Sequence, residues 1–136
     1  MVERILTCFW IFLGGGVGTL ARFGMSGLAA RWWGETFPWG TIIVNVTGSF
    51  VIGFFATLTD TEGRLLVNPT ARQFVMIGLC GGYTTFSSFS LQTLSLVREG
   101  EWLHAGGNVM LSVALCLVAV WLGHVLAMTL NPNRGG

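Results

Sequence analysis

The sequence predicts an all-α membrane protein with four transmembrane helices, the third of them broken near mid-membrane. Three observations lead there. The 136 residues are 52% hydrophobic and only 10% charged, the balance of an integral membrane protein rather than of a soluble domain. Charge-free runs extend from Ile5 to Ala21 (continuing past Arg22 to about Ala30), Thr36 to Thr59, Gln73 to Val97, and Trp102 to Asn133. A hydrocarbon core of about 30 Å takes about 20 helical residues, so each run crosses once. Within the third run, G-L-C-G-G-Y-T-T-F-S-S-F-S from Gly78 to Ser90 is a poor helix. At that depth, irregular backbone must be buried in protein or face a polar cavity.

The elements follow in order, as one four-helix transmembrane domain over residues 1–136 with helices at about 4–31, 39–60, 71–98 and 102–129. In the first, Ile5 to Leu13 runs through small residues into Arg22 and reads as the start of one long helix rather than as a signal-peptide core. Gly14, Gly18, Arg22 and Ser26 recur every four residues, a face that lets another helix approach closely. Arg22 costs about 2.5–3.5 kcal/mol at membrane depth even on the lenient insertion scale, so it either snorkels towards Trp32 and Trp33 or lines a cationic vestibule. The second helix opens at Pro38-Trp39-Gly40 and aligns Thr41, Asn45, Gly48, Ser49 and Ile52. The Asn45 amide must be satisfied by protein or water, and an interhelical hydrogen bond is the simplest way. Asp60, Glu62, Arg64, Asn68 and Pro69 form a loop, and Arg72 opens the third helix. Arg98-Glu99-Gly100-Glu101 turns into the fourth, which carries Asn108, Ser112 and Cys116 at intervals of four. That stripe is either a packing ridge, with Asn108 hydrated, or a polar track.

Every basic residue is arginine. Arg4, Arg64, Arg72 and Arg134 fall on the side of the termini, Arg31 and Arg98 on the other, with Arg22 in the membrane. So weak a bias leaves orientation open and hints at dual topology. Cys8, Cys80 and Cys116 are widely spaced and form neither a disulfide framework nor a metal motif. His104 near the membrane edge and His124 deep in the fourth helix are read as having no carboxylate beside either, which argues against metal or acid–base roles.

The chemistry centres on the interrupted segment. Phe86 and Phe89, three apart, share a helical face. Their positive ring edges can touch an anion without trapping it as a full charge would. Carbonyls freed at an unwound helix end can coordinate sodium. The motif therefore supports an ion site of either sign. No Asp or Glu lies at membrane depth within the expected spans, Asp60 standing at the boundary of the second span and its loop, which removes proton-coupled export. No phosphate-binding motif or nucleophile–base pair is present, which argues against ATP-driven pumping and against an enzyme. A passive channel fits best, and a sodium-coupled small-anion carrier is the alternative.

The run from Gly78 to Ser90 closely resembles the signature of the Fluc-type (CrcB-family) fluoride ion channels. So do G-T-I-I-V-N-V-T-G-S-F from Gly40 to Phe50, the pair Gly18 and Arg22, and the pair Asn108 and Ser112. The resemblance covers all four helices in order. It implies a dual-topology antiparallel homodimer in a bacterial inner membrane, with two fluoride pores and no nucleic-acid partner. By the same resemblance, Phe86 and Phe89 are the pore phenylalanines, Asn45 bonds the ion or positions a phenylalanine, and Ser112, Ser87, Ser88 and Thr85 supply polar groups along the path. Arg22 lies in the vestibule, and the main-chain carbonyls of Gly81 and Thr84 hold a structural sodium ion at the dimer interface. The implied role is fluoride resistance: hydrogen fluoride enters from acid surroundings, and fluoride runs out through the channel. Gln92 stands where many members carry glutamate, and Asn108 where some carry tyrosine.

Overall fold

The computed structural model describes residues 1–131; Arg134, counted above for orientation, lies outside them. Helix α1 is Val2–Trp33 and α2 is Trp39–Leu58. Helix α3 covers residues 69–83, opening as an α-turn at Pro69–Gln73, widening to π winding over Phe74–Cys80, and closing as α at Gly81–Tyr83. Helix α4 is Phe86–Arg98 and α5 is Trp102–Leu130. Among the described residues, four segments are long and apolar enough to cross a membrane, the third being Pro69–Arg98, which joins α3 and α4. Among the described residues there is no strand.

The ends of these helices follow their local chemistry. Asn68 caps α3, its Oδ1 accepting from the Ala71 amide at 2.7 Å, and Pro69 occupies the first turn, where its missing N–H costs nothing. Gly34 and Gly100 stop α1 and α4 at φ 76° and 78°, backbone that other residues rarely adopt. Trp32, Trp33, Trp39 and Trp102 cluster in sequence around these two stops and are exposed, as an interfacial aromatic belt requires.

Packing inverts the soluble pattern. Many buried positions are small or polar (Ala29, Ala105, Ala119 and Ala127, with Thr41, Thr57, Asn108 and Ser112), beside a few large apolar ones such as Ile42, Val44 and Phe89. Large apolar side chains such as Phe12, Leu20 and Leu103 point outward, where hydrocarbon would solvate them. Helices α2 and α5 pair along their length, and α1 lies against α3. Glycines set both seams. A Cβ on Gly14 would come within 2.8 Å of the Phe74 carbonyl oxygen and 3.1 Å of the Gly78 Cα. One on Gly18 would run into the Leu79 carbonyl, and one on Gly82 into that of Gly15. Across the other seam, Gly53 abuts the Val120 carbonyl and Gly123 that of Phe50.

This corrects one expectation. Gly78, Gly81 and Gly82 do not break the third helix; all three are helical, and Gly78 and Gly82 let α1 approach. The interruption falls just beyond them, at Thr84 and Thr85, which are extended with ψ 159° and 113°. His104, expected to have no carboxylate beside it, has one: its Nδ1 lies 2.9 Å from Glu101 Oε2, three residues before it at the exposed start of α5. At the other end of that helix, His124 Nδ1 lies 2.8 Å from the Thr57 hydroxyl, and the Asn131 side chain accepts from the Arg64 amide at 2.7 Å. These bonds tie the end of α5 to α2 and its following loop.

The seam yields a prediction. Gly18→Ala forces backbone apart and should cost about 1–3 kcal/mol, as overpacking does. Gly16→Ala, on the same helix with nothing within 4 Å, should be neutral or slightly stabilising. Thermal midpoints of the two purified variants in detergent compare them directly.

Candidate ion pathway

Hydrogen bonding at the break is centred on Thr85, which is 8% exposed. The Asn45 side chain pairs with it twice. Asn45 Nδ2 donates to the Thr85 carbonyl at 2.9 Å, and Asn45 Oδ1 accepts from the Thr85 amide at 2.7 Å. The Thr85 hydroxyl caps α4 by accepting from the Ser88 amide at 3.2 Å, and it donates to Ser88 Oγ at 3.0 Å. One residue thus ends α3 and starts α4.

Two carbonyls lose their helical donors as a result. In a continuous helix, the Gly81 carbonyl would take the Thr85 amide, and the Thr84 carbonyl the Ser88 amide. Here the first goes to Asn45 and the second to the Thr85 hydroxyl. The negative end of α3 therefore presents free oxygen ligands at Gly81 and Thr84, donors suited to a hard cation such as sodium. The amino end of α4, by contrast, carries the positive end of a helix dipole and suits an anion.

Two cavities meet at Thr85. The larger, about 640 Å³, opens between α1, α4 and the loop before α2, with Arg22, Ser26, Ser88 and Gln92 on its walls and Glu35 and Glu99 among its lining residues. Arg22 is half-buried there with no ion pair among the described residues. A Gln92 oxygen is buried without a hydrogen-bond partner. The second cavity, about 410 Å³, lies beyond Thr85. Asn45, Gly81, Thr84, Phe86, Phe89 and Ser112 all line it. The two rings lie 5.3 Å apart at 52°, with Phe89 8% exposed and Phe86 77% exposed.

Most of the residues singled out in the sequence are therefore brought together. Ser87 is the exception: it is exposed and lines neither cavity, although its hydroxyl lies 3.4 Å from that of Thr85. Asn108 is not hydrated but fully buried. Its amide donates to the Thr93 hydroxyl at 2.9 Å, and its carbonyl accepts from Ser112 at 3.3 Å. Thr93 donates onward to the Phe89 carbonyl at 2.8 Å. Thr93 was missed in the sequence; its place four residues after Phe89, on a helix facing Asn108, was the available signal. The chain from Ser112 to Phe89 anchors the buried phenylalanine to α5.

Four spans, an interrupted third one and two cavities meeting at the interruption define a polytopic helical membrane protein built around an ion path. The chain belongs to the family described as CrcB-like protein, Camphor Resistance (CrcB), whose model matches residues 9–124. A relative from Opitutus terrae, named Fluoride-specific ion channel FluC, is 64% identical over 126 residues, covering 93% of this chain and 96% of its own. Relatives of the same name from Methylocella silvestris and Rhodospirillum rubrum are 60% and 54% identical, covering 93% and 94% of this chain and 96% and 99% of their own.

The clamp can be tested by stability. Asn45→Leu leaves the Thr85 amide and carbonyl to find other partners in a water-poor site, and should cost about 1–3 kcal/mol. Ser87→Ala, at an exposed position, should stay within about 0.5 kcal/mol. Thermal unfolding of the two purified proteins measures the difference.

Proposed function

We propose that this chain is a passive, fluoride-selective channel, and not an enzyme, that releases cytoplasmic fluoride across a bacterial inner membrane. One observation carries the reading: Phe86 and Phe89 line a single cavity that begins where the Arg22 vestibule ends. The relatives' name supports fluoride as the ion.

In this mechanism, Arg22 raises the local anion concentration while hydrated ions still fill the wide vestibule. At Thr85 the path narrows and water must be given up. Hydroxyls of Thr85 and Ser88, the amino end of α4 and the ring edges of Phe86 and Phe89 replace it with weak dipolar contacts. Such contacts bind a small anion without holding it, which conduction requires. Ser112 continues the polar wall past the rings. Asn45 acts by holding Thr85, and so the rings, in place.

The working unit in this proposal is an antiparallel homodimer with two pores, inserted by dual topology. The exposure of Phe86 supports it, since a ring 77% open on one chain is a surface that a second copy would cover. Sodium at the dimer axis would be held by the Gly81 and Thr84 carbonyls, whose helical donors are diverted. When bound, it would supply a fixed positive charge that neutralises the carbonyl ends of the two α3 helices.

Fluoride efflux from liposomes containing the purified protein tests this directly. Efflux should be fast and independent of any sodium gradient; dependence on that gradient would instead favour the carrier. Phe86→Ile and Phe89→Ile should each abolish flux while the protein keeps its oligomeric size by gel filtration. Undiminished flux in both would remove the phenylalanine mechanism.

A further inference from the structure

The phenylalanine-lined cavity has a second chemistry that the fluoride reading does not use. The chain has three cysteines and five methionines, and three of these sulfur residues, Met76, Cys80 and Cys116, line this one cavity. Met76 and Cys80 come from the π-wound part of α3, and Cys116 comes from α5, so the three residues line the cavity from two helices. Both cysteines are free. The remaining cysteine, Cys8, is exposed on α1 and is not among the cavity's lining residues.

We propose that this cavity is also a binding site for a soft, thiophilic monovalent cation, with Cys80, Cys116 and Met76 as its sulfur donors. Thiolate and thioether ligands select soft ions such as copper(I), whereas carboxylate and imidazole suit harder metals. Among the described residues, no group of three or more His, Cys, Asp or Glu is placed to hold a metal, so hard or borderline divalent ions have no comparable site. Methionine's unbranched, flexible side chain lets its sulfur adjust to an incoming ion. Charge balance also suits a water-poor cavity. When one cysteine S–H bond breaks and an S–metal bond forms, the proton passes to water and the metal–thiolate unit is neutral. The second cysteine, as a thiol, and the Met76 thioether complete the coordination without adding charge.

The site would lie beside the rings that the proposed fluoride path must pass, so occupancy should block flux. Only the block rests on the fluoride reading; binding is measured separately. Silver(I), added as the nitrate in chloride-free buffer, is the probe. Native mass spectrometry of the purified Cys8→Ser protein should count one silver ion per chain, and the Cys80→Ser/Cys116→Ser variant should lose that ion. In liposomes, micromolar silver should slow fluoride efflux about tenfold in the unmodified protein and in Cys8→Ser, with recovery on adding excess dithiothreitol. The double variant should be insensitive. Absence of bound silver in Cys8→Ser, or silver retained by the double variant, would overturn the site. Silver bound through Cys80 and Cys116 with efflux unchanged would uphold the site and instead contradict the placing of the ion path. If the double variant carries no fluoride at all, its silver count still decides the question.

Discussion

Two hydrogen bonds between the Asn45 side chain and the main chain of Thr85 set the position of nearly everything around the ion path. In hydrocarbon, each unsatisfied backbone group costs several kcal/mol. A membrane helix can therefore be interrupted only where something replaces the lost bonds. Asparagine suits that task because one planar amide both donates and accepts. Paired with a single residue, it satisfies the amide that would have continued α3 and the carbonyl that would have begun α4. The Thr85 hydroxyl completes the change of direction by capping α4 itself.

From that clamp the electrostatics follow without buried charge. Stopping α3 at Tyr83 leaves carbonyls at Gly81 and Thr84 without their helical donors, and restarting at Phe86 turns an amino end towards the junction of the two cavities. One segment thus presents the negative end of one helix dipole and the positive end of another a few residues apart. Among the described residues that line the two cavities the one guanidinium is Arg22, in the larger of them, where it can attract anions without lining the second. The second cavity offers dipoles, hydroxyls and ring edges instead. Its buried ring is held from behind by Thr93, Asn108 and Ser112. Glycine seams let the helices approach closely.

Much of this was legible in the sequence, because composition and charge-free runs report the bilayer directly. Asn45 was marked by elimination, since an amide at membrane depth must be satisfied, and Arg22 by cost. What periodicity could not supply was the partner. That Asn45 bonds main chain rather than another side chain depends on where the third helix stops. The glycines misled for a related reason: in water they weaken helices, but between membrane helices they remove the atoms that would hold two backbones apart. Gly78 and Gly82 do the latter, leaving the interruption to two threonines. Asn108 could be read as hydrated because it starts a helix, yet the facing Thr93 closes it off. Ser87 shares the motif but turns away from both cavities, a one-residue difference in helical phase that composition does not register.

The central claim is that the Asn45–Thr85 pairing creates the end of the break at which sodium is proposed to bind. Sodium dependence of thermal stability tests it most directly. The unmodified protein should melt at a higher temperature in sodium than in N-methylglucamine at equal ionic strength. In Asn45→Leu, where the Thr85 amide is free to return to the Gly81 carbonyl, that sodium-specific increment should vanish. An increment of the same size in both proteins would contradict the account.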